Sequence, residues 1–157
     1  MEKVRPHHVV CLTKLYKAIS LFGKDKQLYY DCIKKQLIKT ANLRVDILDY
    51  CKITWGNIYS NEVMDILAKI ISDGTFITTD NNCDSICSEC YGKIDGKCVG
   101  EETIQIMDKL AVKILNLKAN TITDVTSIMD SSELNKVCDV CGTRVKCNLI
   151  RNAVNNY

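Results

Sequence analysis

The sequence predicts an α+β fold, a mostly helical single domain with a small β-sheet and cysteine-rich metal-binding loops. Three observations carry that expectation. Apolar residues recur at helical spacing over several long segments. Two short segments, 43–48 and 75–79, read as strands, the second rich in β-branched and aromatic residues. Ten cysteines stand out in the composition, and seven of them fall in stretches of C-x-x-C type or beside the histidines. At 157 residues the chain has the length of one domain. Its helical and β core is expected over about 1–82 and 101–117, and its metal-binding loops over about 83–100 and 138–147.

The elements follow in order. Pro6 suits a first helical position, where its missing N–H costs nothing. His8, Leu12, Leu15, Ile19 and Phe22 follow at spacings of three and four, so residues 6–22 are predicted as a helix that stops at Gly23. Residues 25–40 repeat the pattern, with Leu28, Tyr29, Cys32, Ile33 and Leu37 inward and Lys26, Lys34, Lys35 and Lys39 mostly outward. Ser60 is the expected N-cap of a helix through residue 72 that buries Val63, Ile66, Leu67, Ile70 and Ile71, with Gly74 ending it. The strongest helix is 101–117, carrying Ile104, Met107, Leu110, Ala111, Ile114 and Leu115 on one face. The tail, 121–157, reads as one or two short helices around a second cysteine cluster.

Composition narrows the function classes. Apolar residues are 46% of the chain and charged residues 25%, ordinary values for a globular protein. No apolar window approaches a membrane span and no signal peptide is recognisable, so a cytoplasmic protein is expected. Residues 1–44 hold ten lysines and arginines against three acids. These lysines are read as solvated helix faces. The cysteine-bearing regions are acidic to neutral, which argues against nucleic acid as a partner there. No glycine-rich phosphate loop, G-x-S-x-G, H-E-x-x-H or EF-hand pattern occurs.

Two cysteine groups carry the chemistry. The first is Cys87-x2-Cys90-x7-Cys98, with Cys83 four residues earlier; the second is Cys138-x2-Cys141-x5-Cys147. A C-x-x-C pair sets two sulfurs on one side of a tight turn, and a third cysteine a short loop later can close a metal cage. Asp95-Gly96 is a turn pair suited to returning Cys98. Spacing alone leaves zinc and an iron–sulfur centre both open. Cys32 and Cys51 read as small buried apolar residues.

"RPHHVVC" at 5–11 adds the two histidines of the chain and a further thiol. His7 and His8 stand four and three residues before Cys11, so each can share a helix face with it. That spacing permits joint ligation, tuning of a cluster by a histidine hydrogen bond, or histidine activation of the thiol. Arg5 can hold an anion or a carboxylate of the protein itself.

Taken together, "RPHHVVC", "DSICSEC", "MDKL", "ILNL" and the terminal C-x2-C-x5-C make the chain resemble the bacterial and archaeal domain of unknown function 1284 family. The resemblance implies an iron–sulfur protein and marks Arg5, Pro6, His7, His8, Cys11, Asp84, Cys87, Cys90, Cys98, Cys138, Cys141 and Cys147. Tyr91 departs from the family's proline, and Thr143 or Arg144 from its tryptophan. The resulting expectation is one or two 4Fe-4S clusters, with zinc as the alternative. Metal ligands are expected at Cys87, Cys90, Cys98, Cys138, Cys141, Cys147 and Cys11. His7, His8 and Cys83 are expected as ligands or close supports, His7 nearer the metal than His8. An electron-transfer or redox-sensing role implies a redox partner protein. A zinc-stabilised interaction module and an enzyme with an open-coordination cluster are the competing expectations.

Overall fold

A computed structural model describes residues 1–22, 25, 27–28, 31–32, 35, 61–79, 83–88, 93–95, 97–98, 100–142 and 144–155. The expected strand at 43–48, the Ser60 cap, Cys51 and Cys90 lie outside the described residues. So does most of the expected helix 25–40, although Gln27, Leu28, Asp31, Cys32 and Lys35 are helical. Leu28 and Cys32 pack, partly buried, on the core.

The architecture is mostly helical with a small mixed sheet. In chain order the helices are α1 (Pro6–Phe22), α2 (Asn61–Asp73), α3 (Ser85–Ser88), α4 (Glu101–Leu115), α5 (Asn135–Cys138) and α6 (Arg144–Asn155). The strands are β1 (Lys3–Val4), β2 (Thr75–Thr78), β3 (Lys93–Ile94), β4 (Lys97–Cys98) and β5 (Ile122–Asp124). The main sheet has the order β1-β2-β5. β1 is parallel to β2, with Lys3 opposite Ile77 and Val4 opposite Thr78. β5 is antiparallel to β2. β3 and β4 form a separate hairpin whose turn puts Asp95 at φ 49°.

The parallel pairing positions the site. β1 and β2 run the same way, so the chain that follows each of them emerges at the same end of the sheet. After β1 that chain is Arg5 and the first turn of α1; after β2 it is the segment holding Cys83, Asp84 and α3. Gly74 makes the approach to β2 possible: it ends α2 at φ 73°, where a side chain would be strained. Its N–H bonds back to the Ile70 carbonyl at 3.1 Å.

α1 is the central helix, and α2, α4 and α6 all pack against it. It is therefore buried more widely than the expected stripe, with Val9, Val10, Thr13, Lys14 and Ala18 buried beside Leu12, Leu15, Ile19 and Phe22. Two apolar clusters result. One joins Leu12, Leu15, Ile19 and Phe22 to Leu67, Ile70, Phe76 and Ile150. The other joins Val10 to Met107, Ala111, Leu134 and Val137. Each fully buried Leu or Ile contributes about 1.5–3 kcal/mol.

Several expectations shift. The 101–117 helix ends at Leu115, because Asn116 turns left-handed at φ 52°. The 83–100 segment is not a plain loop but contains α3 and the β3–β4 hairpin, and Cys147 lies in the first turn of α6. The tail also supplies β5. Lys14 is buried instead of solvated: its Nζ reaches Asp130 Oδ1 at 2.6 Å and the Ser131 carbonyl and Asn135 Oδ1 at 3.2 Å, tying the 130–135 segment to α1. No helix among the described residues is long and apolar enough to cross a membrane.

Candidate metal centre

The site begins with a cation buried where none is free of cost. Arg5 is 1% exposed, and an unpaired charge at such depth is strongly disfavoured. Its Nε donates to Asp108 Oδ2 at 2.7 Å, and its terminal nitrogens donate to Glu101 Oε1 at 2.5 Å and Oε2 at 3.3 Å. Arg5 thus holds carboxylates of the protein itself. Burial works against its charge, but Glu101 and Asp108 overcome that and keep it firmly protonated.

The same carboxylates orient the two histidines. His7 donates its backbone N–H to Asp108 Oδ1 at 3.0 Å, and its ring Nδ1 lies 2.8 Å from that oxygen. Burial, then the neighbouring His8, push the His7 pKa down to about 4 against the pull of Asp108. The neutral ring therefore carries its proton on Nδ1, facing the carboxylate, and Nε2 is left as the nitrogen available to the cavity that His7 lines. Asp108 itself stays below the usual carboxylate range: burial would raise it, but His7 and Arg5 outweigh burial.

Asp84 plays the matching part for His8. Its Oδ2 accepts from the Arg5 backbone N–H at 2.7 Å and lies 2.7 Å from His8 Nδ1, while Oδ1 caps α3 by accepting the Cys87 N–H at 2.9 Å. Burial would raise its pKa, but His8 and the two backbone donors hold it well below the ordinary value. Burial and the Asp84 charge push the Cys87 thiol up. The two imidazoles lie 4.0 Å apart, each turned to a different carboxylate.

Beside this knot lies a cavity of about 460 Å³. Four cysteines line it: Cys11 from α1, Cys138 from the end of α5, Cys141 from the following turn and Cys147 from the first turn of α6. The C-x-x-C turn is closed by Cys141 N–H to the Cys138 carbonyl at 3.0 Å. His7, Lys14, Arg144 and Arg151 share the lining. A helix N-terminus and nearby cations favour thiolate over thiol. Burial and the three neighbouring sulfurs nonetheless push Cys11 well up, so it stays a thiol unless a cation joins it.

Spacing distinguishes the two groups. Among the described residues, His8, Asp84 and Cys87 form a trio whose ligand atoms lie within 4.8 Å of one another, and no three of the cavity sulfurs do. A single tetrahedral ion with bonds of about 2.3 Å needs thiolates about 3.8 Å apart. The trio is compact enough for one ion.

The sequence-predicted residues are thus divided. Cys11, Cys138, Cys141, Cys147 and His7 gather at the cavity. His8 and Cys87 gather at Asp84. Cys83 is close enough to Cys87 for their charges to interact, and Cys98 ends the β3–β4 hairpin, partly buried. Asp108 and Glu101 were not singled out by sequence reasoning. Asp108 had a legible signal: it stands four residues after Ile104 and three before Ala111, a charge on the apolar face of α4.

A family model described as "Protein of unknown function (DUF1284)" matches residues 56–147, more than half of the chain. The chain belongs to the DUF1284 family. In this DUF1284 protein the matched span carries both cysteine clusters together with Asp84, Glu101 and Asp108, and Arg5–Cys11 precedes it. Comparison with curated proteins and with solved structures found no significant match. Family membership, the number of cysteines and the His8–Asp84–Cys87 group are together consistent with metal binding.

Proposed function

We infer that this DUF1284 protein is a small cytoplasmic, single-domain iron–sulfur protein with an electron-transfer or redox-sensing role. One observation carries the reading: Cys11, Cys138, Cys141 and Cys147, drawn from distant parts of the chain, line one cavity, the number of thiolates a 4Fe-4S cluster takes. Those four thiolates would hold a 4Fe-4S cluster, which supplies one-electron chemistry when bound.

The rest of the work falls to the chain. Four thiolates give each iron one protein ligand, which favours electron transfer over an open iron that binds substrate. Lys14, Arg144 and Arg151 surround the anionic centre and offset part of its charge. His7, locked by Asp108 through Nδ1, presents Nε2 to the cavity as an acceptor or ligand atom without rotating away. A redox partner protein would have to approach the face where the C-x-x-C turn and α6 begin.

The test is anaerobic purification, a visible spectrum, and counts of iron, sulfide and zinc. A brown protein with about four irons and four sulfides per cavity is expected. A colourless protein carrying zinc in an all-sulfur shell would overturn the reading in favour of a zinc-stabilised module. If Cys11→Ser keeps an intact cluster with altered reactivity, the open-site enzyme reading takes precedence.

A further inference from the structure

The thiol cavity leaves His8, Asp84 and Cys87 unused. Their ligand atoms lie within 4.8 Å of one another. Asp84 and Cys87 are 7% and 5% exposed, and the His8 side chain is 13% exposed. The trio is assembled from two directions by the parallel β1–β2 pair, His8 from α1 and the other two from the start of α3. Asp84 is fixed by the Arg5 and Cys87 backbone N–H groups, so its carboxylate does not need a further ion merely to be satisfied.

We propose that His8, Asp84 and Cys87 form a second, mononuclear site for a borderline divalent cation of the zinc class, separate from the thiol cavity. One imidazole nitrogen, one carboxylate oxygen and one thiolate form a mixed donor set suited to such an ion. A proton now holds His8 Nδ1 and Asp84 Oδ2 together at 2.7 Å. The ion displaces the Cys87 thiol proton to solvent and takes the place of the proton at His8 Nδ1, which moves to Nε2 so that the ligating imidazole stays neutral. The nitrogen–oxygen distance then opens to about 3.3 Å, the edge of a tetrahedron with bonds near 2.0–2.1 Å. Because His7 and His8 are in ring contact, this ion is a direct neighbour of the cavity.

The experiment uses the full chain, purified without oxygen and exposed to zinc, with zinc, iron and sulfide counted on the same sample. About one zinc per chain is expected beside the iron, with a mixed nitrogen/oxygen and sulfur shell in zinc-edge X-ray absorption. His8→Ala and Cys87→Ser should each lower bound zinc at least tenfold with the iron count unchanged. Absence of zinc, or an all-sulfur zinc shell, overturns the proposal, and the wild-type absorption measurement decides this even if a variant fails to fold. Loss of iron in a folded Cys87→Ser chain also overturns it, by making Cys87 a cluster ligand. Loss of iron and sulfide from the wild-type protein with the mixed zinc shell retained would defeat the cluster reading instead and leave this site standing.

Discussion

In the knot around Arg5, the guanidinium and both imidazoles each have a carboxylate oxygen within 2.8 Å. In the cavity one helical face away, four sulfurs share a lining and no three approach within 4.8 Å. The first region satisfies itself with charges drawn from its own chain. The second groups donors that repel one another once ionised. The difference is one of charge: the knot pairs Arg5 and each imidazole with a carboxylate, whereas the cavity gathers four thiols beside Lys14, Arg144 and Arg151.

The largest expected effect breaks the cavity. Cys138→Ser with Cys141→Ser should abolish visible absorption and bound iron altogether while the far-ultraviolet circular dichroism of the helices survives; iron retained at the wild-type level would mean the wrong thiols have been chosen. Next, Asp108→Ala strands Arg5 with Glu101 alone and leaves His7 Nδ1 unpaired. Removing one partner of a buried ion pair costs about 3–5 kcal/mol, to be read from urea denaturation. A cost below about 1 kcal/mol would show that the knot is not held from within.

A pH titration sharpens the comparison. With its folded pKa held at about 4 by burial, His7 stays neutral while the unfolded chain takes up a proton below about 6.5. Stability of the metal-free chain should therefore fall as pH drops from about 6.5 to 4, by up to on the order of 3 kcal/mol. Asp84 and Asp108 have lowered folded pKa values, so their contribution is present above about 3.8 and is lost on further acidification. His7→Gln should flatten the first window and leave the second; an unchanged profile would sink the assignment.

The smallest effect belongs to a pair of the same kind in a different place. Arg144 and Asp139 meet at 3.0 Å on the cavity rim, with side chains 53% and 64% exposed. Asp139→Asn should cost no more than about 0.5 kcal/mol in the same denaturation assay, against the several expected for Asp108→Ala. Equal costs would remove the distinction between buried and exposed charge on which the comparison rests.

Much of the fold was legible in the sequence because its signals are local. Periodicity and Pro6 placed α1 at its observed bounds, Gly74 marked the end of α2, and the β-branched run at 75–79 marked β2. β5 was not legible: Ile122 and Asp124 are exposed and Thr123 partly so, so no alternation marks a strand that exists through pairing with β2. The residues of the candidate site were also legible as types, since two spaced thiol groups and a histidine pair are visible in one dimension.

The partition of those residues was decided only by the tertiary structure. Cys11 meets thiols about 130 positions away, and Arg5 finds Asp108 across 103 positions. Spacing along a chain fixes geometry only within a turn or two, where the backbone is regular. Which thiols share a cavity, and which carboxylate locks which histidine, depends on α4 and α6 packing on the same central helix. The parallel β1–β2 pair adds the last constraint by delivering Asp84 to the first turn of α1.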